Sequence, residues 1–303
     1  MGGSSANEIY SMVIDAHTHV FPKEIRKKRI SFCRRDEGFR LLYENPKAIL
    51  ADLDDLLASM DRNGIERSVI CGFPWKDQAI CREGNDYLLQ AQQRYPLRIM
   101  AFATLPFYSW RLAEREMERC LDRGIYGIGE VAFYPGGLPP SVLSRLPGLL
   151  QPLAERQVPC LFHANEPVGH DYPGKSRGDL HSIYRLLQKL PENRIILAHW
   201  GGGFFFYELM PEVGKAARNV FYDTAASPYL YEPRIYNLAL KIIGKERILF
   251  GSDFPLLSPP RYFAELEQCR LTKTALAGIK GGNAQRLFRP VARRSPGPGG
   301  PQP

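Results

Sequence analysis

No stretch of the 303 residues approaches the roughly 18–20 consecutive apolar positions of a membrane-crossing helix, which excludes that class. The N-terminal MGGSSANEIYSM lacks the basic-then-apolar order of a signal peptide. A myristoylation signal is also missing, since Ala6 stands where that signal needs Ser or Thr. Six cysteines (33, 71, 81, 120, 160, 269) are scattered without a single C-x-x-C pair. Cys71 and Cys160 fall inside apolar runs, where reduced core thiols are expected. These absences point to a soluble protein of the reducing cytoplasm.

A generally basic surface is missing as well, despite a formal charge of +8. Residues 289–303 contribute +3, with three arginines and no acid, and residues 23–40 contribute +5, with eight Lys/Arg against three acids. The rest of the chain is neutral, so the excess is a tail and a loop, and a surface shaped for duplex nucleic acid is not indicated.

What is present is an alternation. Apolar runs near 12–17, 68–73, 99–104, 126–131, 159–163, 194–199, 219–224 and 248–252 read as strands. Amphipathic stretches separate them, among them AILADLDDLLASMDRNG, with Ile49, Leu53, Leu56, Leu57 and Met60 at helical spacing and a stop at Gly64. Eight βα units predict an α/β fold, a (β/α)8 TIM barrel, with extra closing helices after the eighth strand. An open doubly wound sheet would carry a Gly-rich phosphate loop after strand 1, where this chain has HTHVFPKE. The predicted organisation is a flexible N-terminus over 1–11, one barrel domain over 12–288 and a disordered, basic Pro/Gly-rich tail over 289–303.

Six polar residues recur at the ends of these strands: His17 and His19 in VIDAHTHVFP, Glu130 in YGIGEVAFYP, His163 in CLFHANEP, His199 in IILAHWGGG and Asp253 in ILFGSDFP. The intervals of 111, 33, 36 and 54 residues from His19 to Asp253 correspond to about three, one, one and two βα units. They place the residues on strands 1, 4, 5, 6 and 8 at the C-terminal rim, where barrels carry their chemistry. Alternation along a strand sends His17 and His19 to one side. Imidazoles and carboxylates together suit a divalent ion, Zn2+ first, with Mn2+ or Fe2+ as substitutes. For one residue, a hydrogen-bonded polar side chain at a strand end is an equal explanation; for six together it is not.

With D-A-H-T-H early, G-E on strand 4, two single strand-end histidines and G-S-D-F-P late, the chain resembles the amidohydrolase superfamily. The resemblance spans about 12–288 and is strongest to the amidohydrolase-related branch, which holds hydrolases and aminocarboxymuconate-semialdehyde or resorcylate-type decarboxylases. It implies metal ligation by His17, His19, His163, His199 and Asp253, with Asp253 also shuttling a proton. Glu130 resembles the strand-4 bridging carboxylate of two-metal members. One or two ions are therefore expected; with a single ion, His199 polarises the substrate.

Around the rim, His170, Tyr172, Lys175 and Arg177 crowd into eight residues after strand 5. His170, Tyr172, Lys175 and Trp75 are the candidate substrate contacts, with His170 closing a segment that resembles the H-x-x-E-P-x-G-H of barrel hydrolases. Asn165 and Glu166 either form a turn or orient His163. The 23–40 segment with Lys76, Lys175 and Arg177 forms either a positive rim for an anionic small molecule or a solvated charged loop. Trp75, Tyr134 and Phe254 form either an aromatic wall or simple packing.

The expected enzyme is a metal-dependent hydrolase that opens a small, anionic amide, ester or lactone through a metal-activated water. The alternatives are a non-oxidative decarboxylase on the same scaffold and, third, a TatD-like nuclease. The expected partner is a small-molecule substrate, with a homodimer possible and no membrane or nucleic acid. A non-enzymatic barrel with a closed structural metal site would leave no open coordination position and fits the pattern poorly.

Overall fold

The computed structural model describes residues 12–288 apart from 135 and 176–178, so the expectations for 1–11, 289–303 and Arg177 lie outside the described residues. Eight parallel strands follow one another around a barrel: β1 (Ile14–His19), β2 (Arg67–Cys71), β3 (Ile99–Ala103), β4 (Gly127–Val131), β5 (Cys160–Phe162), β6 (Ile195–Leu197), β7 (Val220–Asp223) and β8 (Ile248–Leu249). Each overlaps one of the eight apolar runs. Hydrogen bonds from Ala16 N to Phe250 O, His19 N to Phe254 O and Asp253 N to His17 O bring the chain around β8 back to β1. No helix among the described residues is long and apolar enough to cross a membrane.

Alternation along the strands builds two cores. Ile14, Val69, Cys71, Met100, Phe102, Leu161, Ile196 and Leu249 fill the inside of the barrel. Leu287 and Phe288 join this interior cluster from the end of the last helix, the Phe288 ring edge-on to Phe102 at 5.5 Å. Ile70, Ile99, Ala101, Ile128, Cys160, Phe162, Leu197 and Ile248 pack outward against the helices. All six cysteines are buried and unpaired.

The segment 48–64 departs from its predicted start. The helix runs Leu53–Asn63, because Asp52 accepts from the amides of Asp54 and Asp55 while Asp55 returns to Asp52 N. This capping box, of a type worth about 1 kcal/mol, starts the helix after Asp52. It leaves Ile49 outside the helix and 61% exposed. Gly64 ends the helix in the left-handed region, as predicted.

On the helix Pro259–Gln268, half-buried Glu265 keeps Oε2 unpartnered among the described residues. Burial pushes its pKa up to about 7, against the pull of Arg261. Between the ordinary 4.5 and about 7, the folded chain holds a proton that the unfolded chain has released. Stability therefore falls as pH rises through that window. Glu265→Gln should raise the thermal midpoint at pH 8 and leave it unchanged at pH 4 in scanning calorimetry; an equal change at both pH values would contradict this.

Candidate active site

Two local irregularities aim the key side chains. Ile14 faces the barrel interior, so strict alternation would turn His17 and His19 outward. The β1–β2 register slips between Asp15 and Thr18, three residues of β1 spanning two of β2. This bulge reverses the phase and brings both histidines inside. The same slip occurs in β4 between Ile128 and Val131. It turns Glu130 inward, although its strand neighbours Ile128 and Val131 both pack outward. Gly129 permits the bulge: its φ is +137°, and a Cβ there would meet Leu161 O at 2.6 Å.

The residues that the strand ends promised converge at the C-terminal rim. His17 Nε2 and His19 Nε2 lie 3.0 Å apart. Asp253 Oδ1 is 3.4 Å from His19 Nε2 and 3.8 Å from His17 Nε2. Glu130 lies 3.8 Å from His17 Nε2 through Oε1 and 3.6 Å from His19 Nε2 through Oε2. On its other side, Glu130 Oε1 accepts from His163 Nδ1 at 2.8 Å and lies 3.7 Å from His199 Nε2. Two trios with metal-ligand spacing thus share Glu130: His17, His19, Glu130 and Glu130, His163, His199.

These donors fit a divalent ion. Bonds of about 2.1 Å set ligand–ligand edges at about 3.0 Å for right angles and 3.4 Å for tetrahedral ones, close to the observed separations. His163 Nδ1 is engaged by Glu130, and its Nε2 is buried and without a partner among the described residues. His199 Nδ1 donates to Ala225 O at 3.1 Å, which leaves its Nε2 to face Glu130. His199 and Asp253 both occupy the left-handed region, with φ of 55° and 56°, at a cost of about 1–3 kcal/mol each.

Burial and charge oppose one another here. Burial alone would strip His17 of its second proton, but Asp223, Glu130 and Asp253 hold its pKa up at about 10. His199 is likewise held up at about 9, burial being outweighed by Glu130, Asp253 and Asp223. Against burial, the surrounding histidines keep the Glu130 and Asp253 carboxyls well below the usual range.

Asp223, absent from the sequence-derived set, completes the framework from the end of β7. It is fully buried, and its Oδ2 accepts from His17 Nδ1 at 2.8 Å. Its Oδ1 accepts from the amides of His199 and Ala225. One carboxylate thus orients two of the histidines. Asp15 of the D-A-H-T-H motif accepts from both the hydroxyl and the amide of Ser252 in G-S-D, fastening β1 to the loop after β8.

Above the cluster opens a cavity of about 640 Å3, lined by His19, Glu130, His163, His199 and Asp253 at its polar end and by Tyr43, Phe73, Tyr134, Tyr172 and Tyr229 as aromatic walls. His170 and Asn165 also line it, and Tyr172 OH reaches both Asn165 Oδ1 and Glu166 Oε2.

Several expected contacts lie elsewhere. Trp75 is only 2% exposed and is held among Phe32, Phe39 and Phe73; it packs behind the wall and does not form it. Phe254 packs against the main core. Lys175 Nζ donates to the carbonyls of Val168 and His170, so it fastens its own loop. None of the 23–40 cations lines the cavity, and several of them are paired elsewhere: Lys23 with Asp54, Arg26 with Asp55, Lys28 with Glu24 and Arg35 with Asp77. Lys76 lies over the Tyr108 ring. Among the described residues lining the cavity, Lys47 is the one Lys or Arg.

A (β/α)8 barrel with a histidine–carboxylate cluster under a rim cavity defines an enzyme scaffold built for a divalent metal. The chain belongs to the amidohydrolase family, whose model matches residues 14–289. It is 25% identical over 295 residues to a γ-resorcylate decarboxylase of Polaromonas sp. (strain JS666 / ATCC BAA-500), covering 79% of this chain and 88% of that protein. Its fold matches a dihydroxybenzoic acid decarboxylase of Polaromonas sp. JS666, solved with bound manganese and the inhibitor 2-nitroresorcinol. That match has a TM-score of 0.70 at 22% identity and covers 92% of this chain and 97% of the other. A 5-carboxyvanillate decarboxylase of Novosphingobium aromaticivorans, complexed with manganese, matches with a TM-score of 0.73 at 18% identity, covering 93% and 97%. The hydrolase expected from the sequence is corrected here, because the relatives matched in sequence are decarboxylases. Glu130, a carboxylate on strand 4, bears on ion binding and not on which bond is broken.

Proposed function

We propose that the protein is a metal-dependent, non-oxidative decarboxylase of aromatic carboxylic acids. The observation that carries this reading is the aromatic-walled cavity ending on the His17–His19–Glu130–Asp253 cluster, in a chain related to γ-resorcylate decarboxylases. His17, His19, Glu130 and Asp253 hold a divalent ion, with His163 and His199 on the far side of Glu130. Imidazole–carboxylate donors accept Mn2+ as well as Zn2+, and the manganese in the related structures favours Mn2+ over the zinc first expected. A divalent ion held by these residues would supply positive charge at the polar end of the cavity, which suits an acidic substrate.

The remaining work falls to the chain's own groups. Asp253, its side chain 14% exposed at the cavity floor, is the acid–base residue. It takes up a proton from solvent as the acid substrate enters and delivers it to the ring carbon that bears the carboxylate. The new C–H bond forms, the C–C bond to the carboxylate breaks, its electron pair refills the ring and CO2 departs, so no oxidant is required. His199 Nε2, fixed by the Nδ1 bond to Ala225, polarises a substrate oxygen. Tyr134, Phe73 and Tyr172 hold the ring and exclude water.

Manganese-reconstituted protein should release CO2 from one or more of a set of 2-hydroxybenzoates and lose that activity on chelation. Turnover of esters, amides or lactones with no CO2 from any aromatic acid would overturn the reading.

A further inference from the structure

Resting on the decarboxylase reading, we infer that the substrate is larger than one ring and carries an apolar extension that leaves the cavity across Ile49, Tyr229 and Leu256. A cavity of about 150 Å3 suffices for a benzene-sized guest. The one above the cluster, at about 640 Å3, is roughly four times that. Its surplus space is bordered by the loops after β1, β7 and β8, three neighbouring strands, whose lining side chains are apolar for the most part, with Lys47 the one Lys or Arg among those described. Ile49 comes from the first loop, Tyr229 and Leu230 from the second, and Pro255 and Leu256 from the third.

Three of these are more exposed than a soluble protein usually leaves large apolar groups that lie together. Ile49 is 61% exposed, Leu256 52% and Tyr229 51%. Ile49 is free to serve because the Asp52 capping box keeps it out of the helix that its spacing predicts. Arg261 stacks over the Tyr229 ring at 5.0 Å and steadies it. The opposite side, after β4 and β5, is lined by Tyr134, Asn165, His170 and Tyr172, all four of which carry polar ends suited to ring substituents. The cavity is thus divided: a reacting ring over the metal cluster, polar groups to one side, and an apolar exit on the other. The rim is continuous with the cavity, which favours a tail of the substrate as its occupant over a second copy of the chain.

Salicylate and 4-phenylsalicylate separate the possibilities when offered to manganese-reconstituted protein, with turnover read as CO2 and binding by calorimetry. The expected result is a kcat/KM and an affinity at least about tenfold higher for the phenyl acid. Ile49→Asp and, separately, Leu256→Asp should bring both ratios down towards one. The ratio is informative because a general loss of fold would lower both acids together. Equal kcat/KM and equal affinity for the two acids would overturn the extension while leaving the decarboxylase reading intact. Tighter, Ile49- and Leu256-sensitive binding of the phenyl acid with no CO2 from either acid would support the apolar exit and overturn the decarboxylase reading instead. If the two variants shift the sedimentation coefficient and leave the ratios unmoved, the rim is an interface between copies and the inference is wrong.

Discussion

Asp253→Asn lowers decarboxylation turnover by at least about 10²-fold, within the 10²–10⁴ range ascribed to a positioned acid–base group. The substitution is nearly isosteric, and asparagine tolerates the left-handed backbone that Asp253 adopts. The Asp253 amide keeps its bond to His17 O, so the loop after β8 retains its course. The side chain keeps one oxygen for an ion but can neither take up nor deliver a proton. Metal content per chain, measured on the purified variant, should therefore fall far less than turnover. Near-normal activity in a well-loaded variant would show that another group protonates the ring.

Asp223→Asn should act differently, weakening metal affinity by about 10–100-fold, as the loss of a group that orients a metal-binding histidine does. Asp223 Oδ1 is committed to two backbone amides, at 2.9 and 3.0 Å, so the oxygen of an asparagine stays there. The new NH2 group then faces His17 Nδ1, where an acceptor stood before. His17 must turn a lone pair to that NH2 and carry its hydrogen on Nε2, the atom that faces His19, Glu130 and Asp253. Competition against a chromogenic chelator reads the affinity directly. Saturating metal should rescue most of the activity of Asp223→Asn and none of that of Asp253→Asn. An unchanged dissociation constant would remove Asp223 from the metal framework.

The barrel was legible because parallel strands buried on both faces read as short apolar runs, and all eight runs from 12–17 to 248–252 overlap observed strands. The rim residues were legible because the chain places a histidine or an acid where the runs of strands 1, 4, 5, 6 and 8 stop. Asp223 satisfies the same rule in VFYDTAA, and applying the rule to every strand would have found it. The two bulges were much less visible. Only Gly129, an isolated glycine inside a strand, hints at one of them, and nothing in D-A-H-T-H announces the other.

Long-range pairing explains most of the remaining differences. Nothing local tells Lys23 and Arg26 that Asp54 and Asp55, about thirty residues on, will neutralise them. Whether Trp75 walls a cavity or packs behind it depends on Phe39, which folds over it from the loop after β1. The helix start at Leu53, by contrast, could have been read from the Asp52–Asp55 capping signal. Reading it would have freed Ile49 for the rim from the outset.

The central claim, that this metal cluster removes CO2 from an aromatic acid, is tested most directly with a carboxyl-13C-labelled 2-hydroxybenzoate accepted by the protein, turned over in D2O. The account predicts 13CO2 and a phenol carrying one deuterium at the vacated ring carbon, in equal amounts, from metal-loaded protein and from none that has been chelated. Labelled carbon retained in every product, or 13CO2 release that chelation leaves untouched, would contradict it.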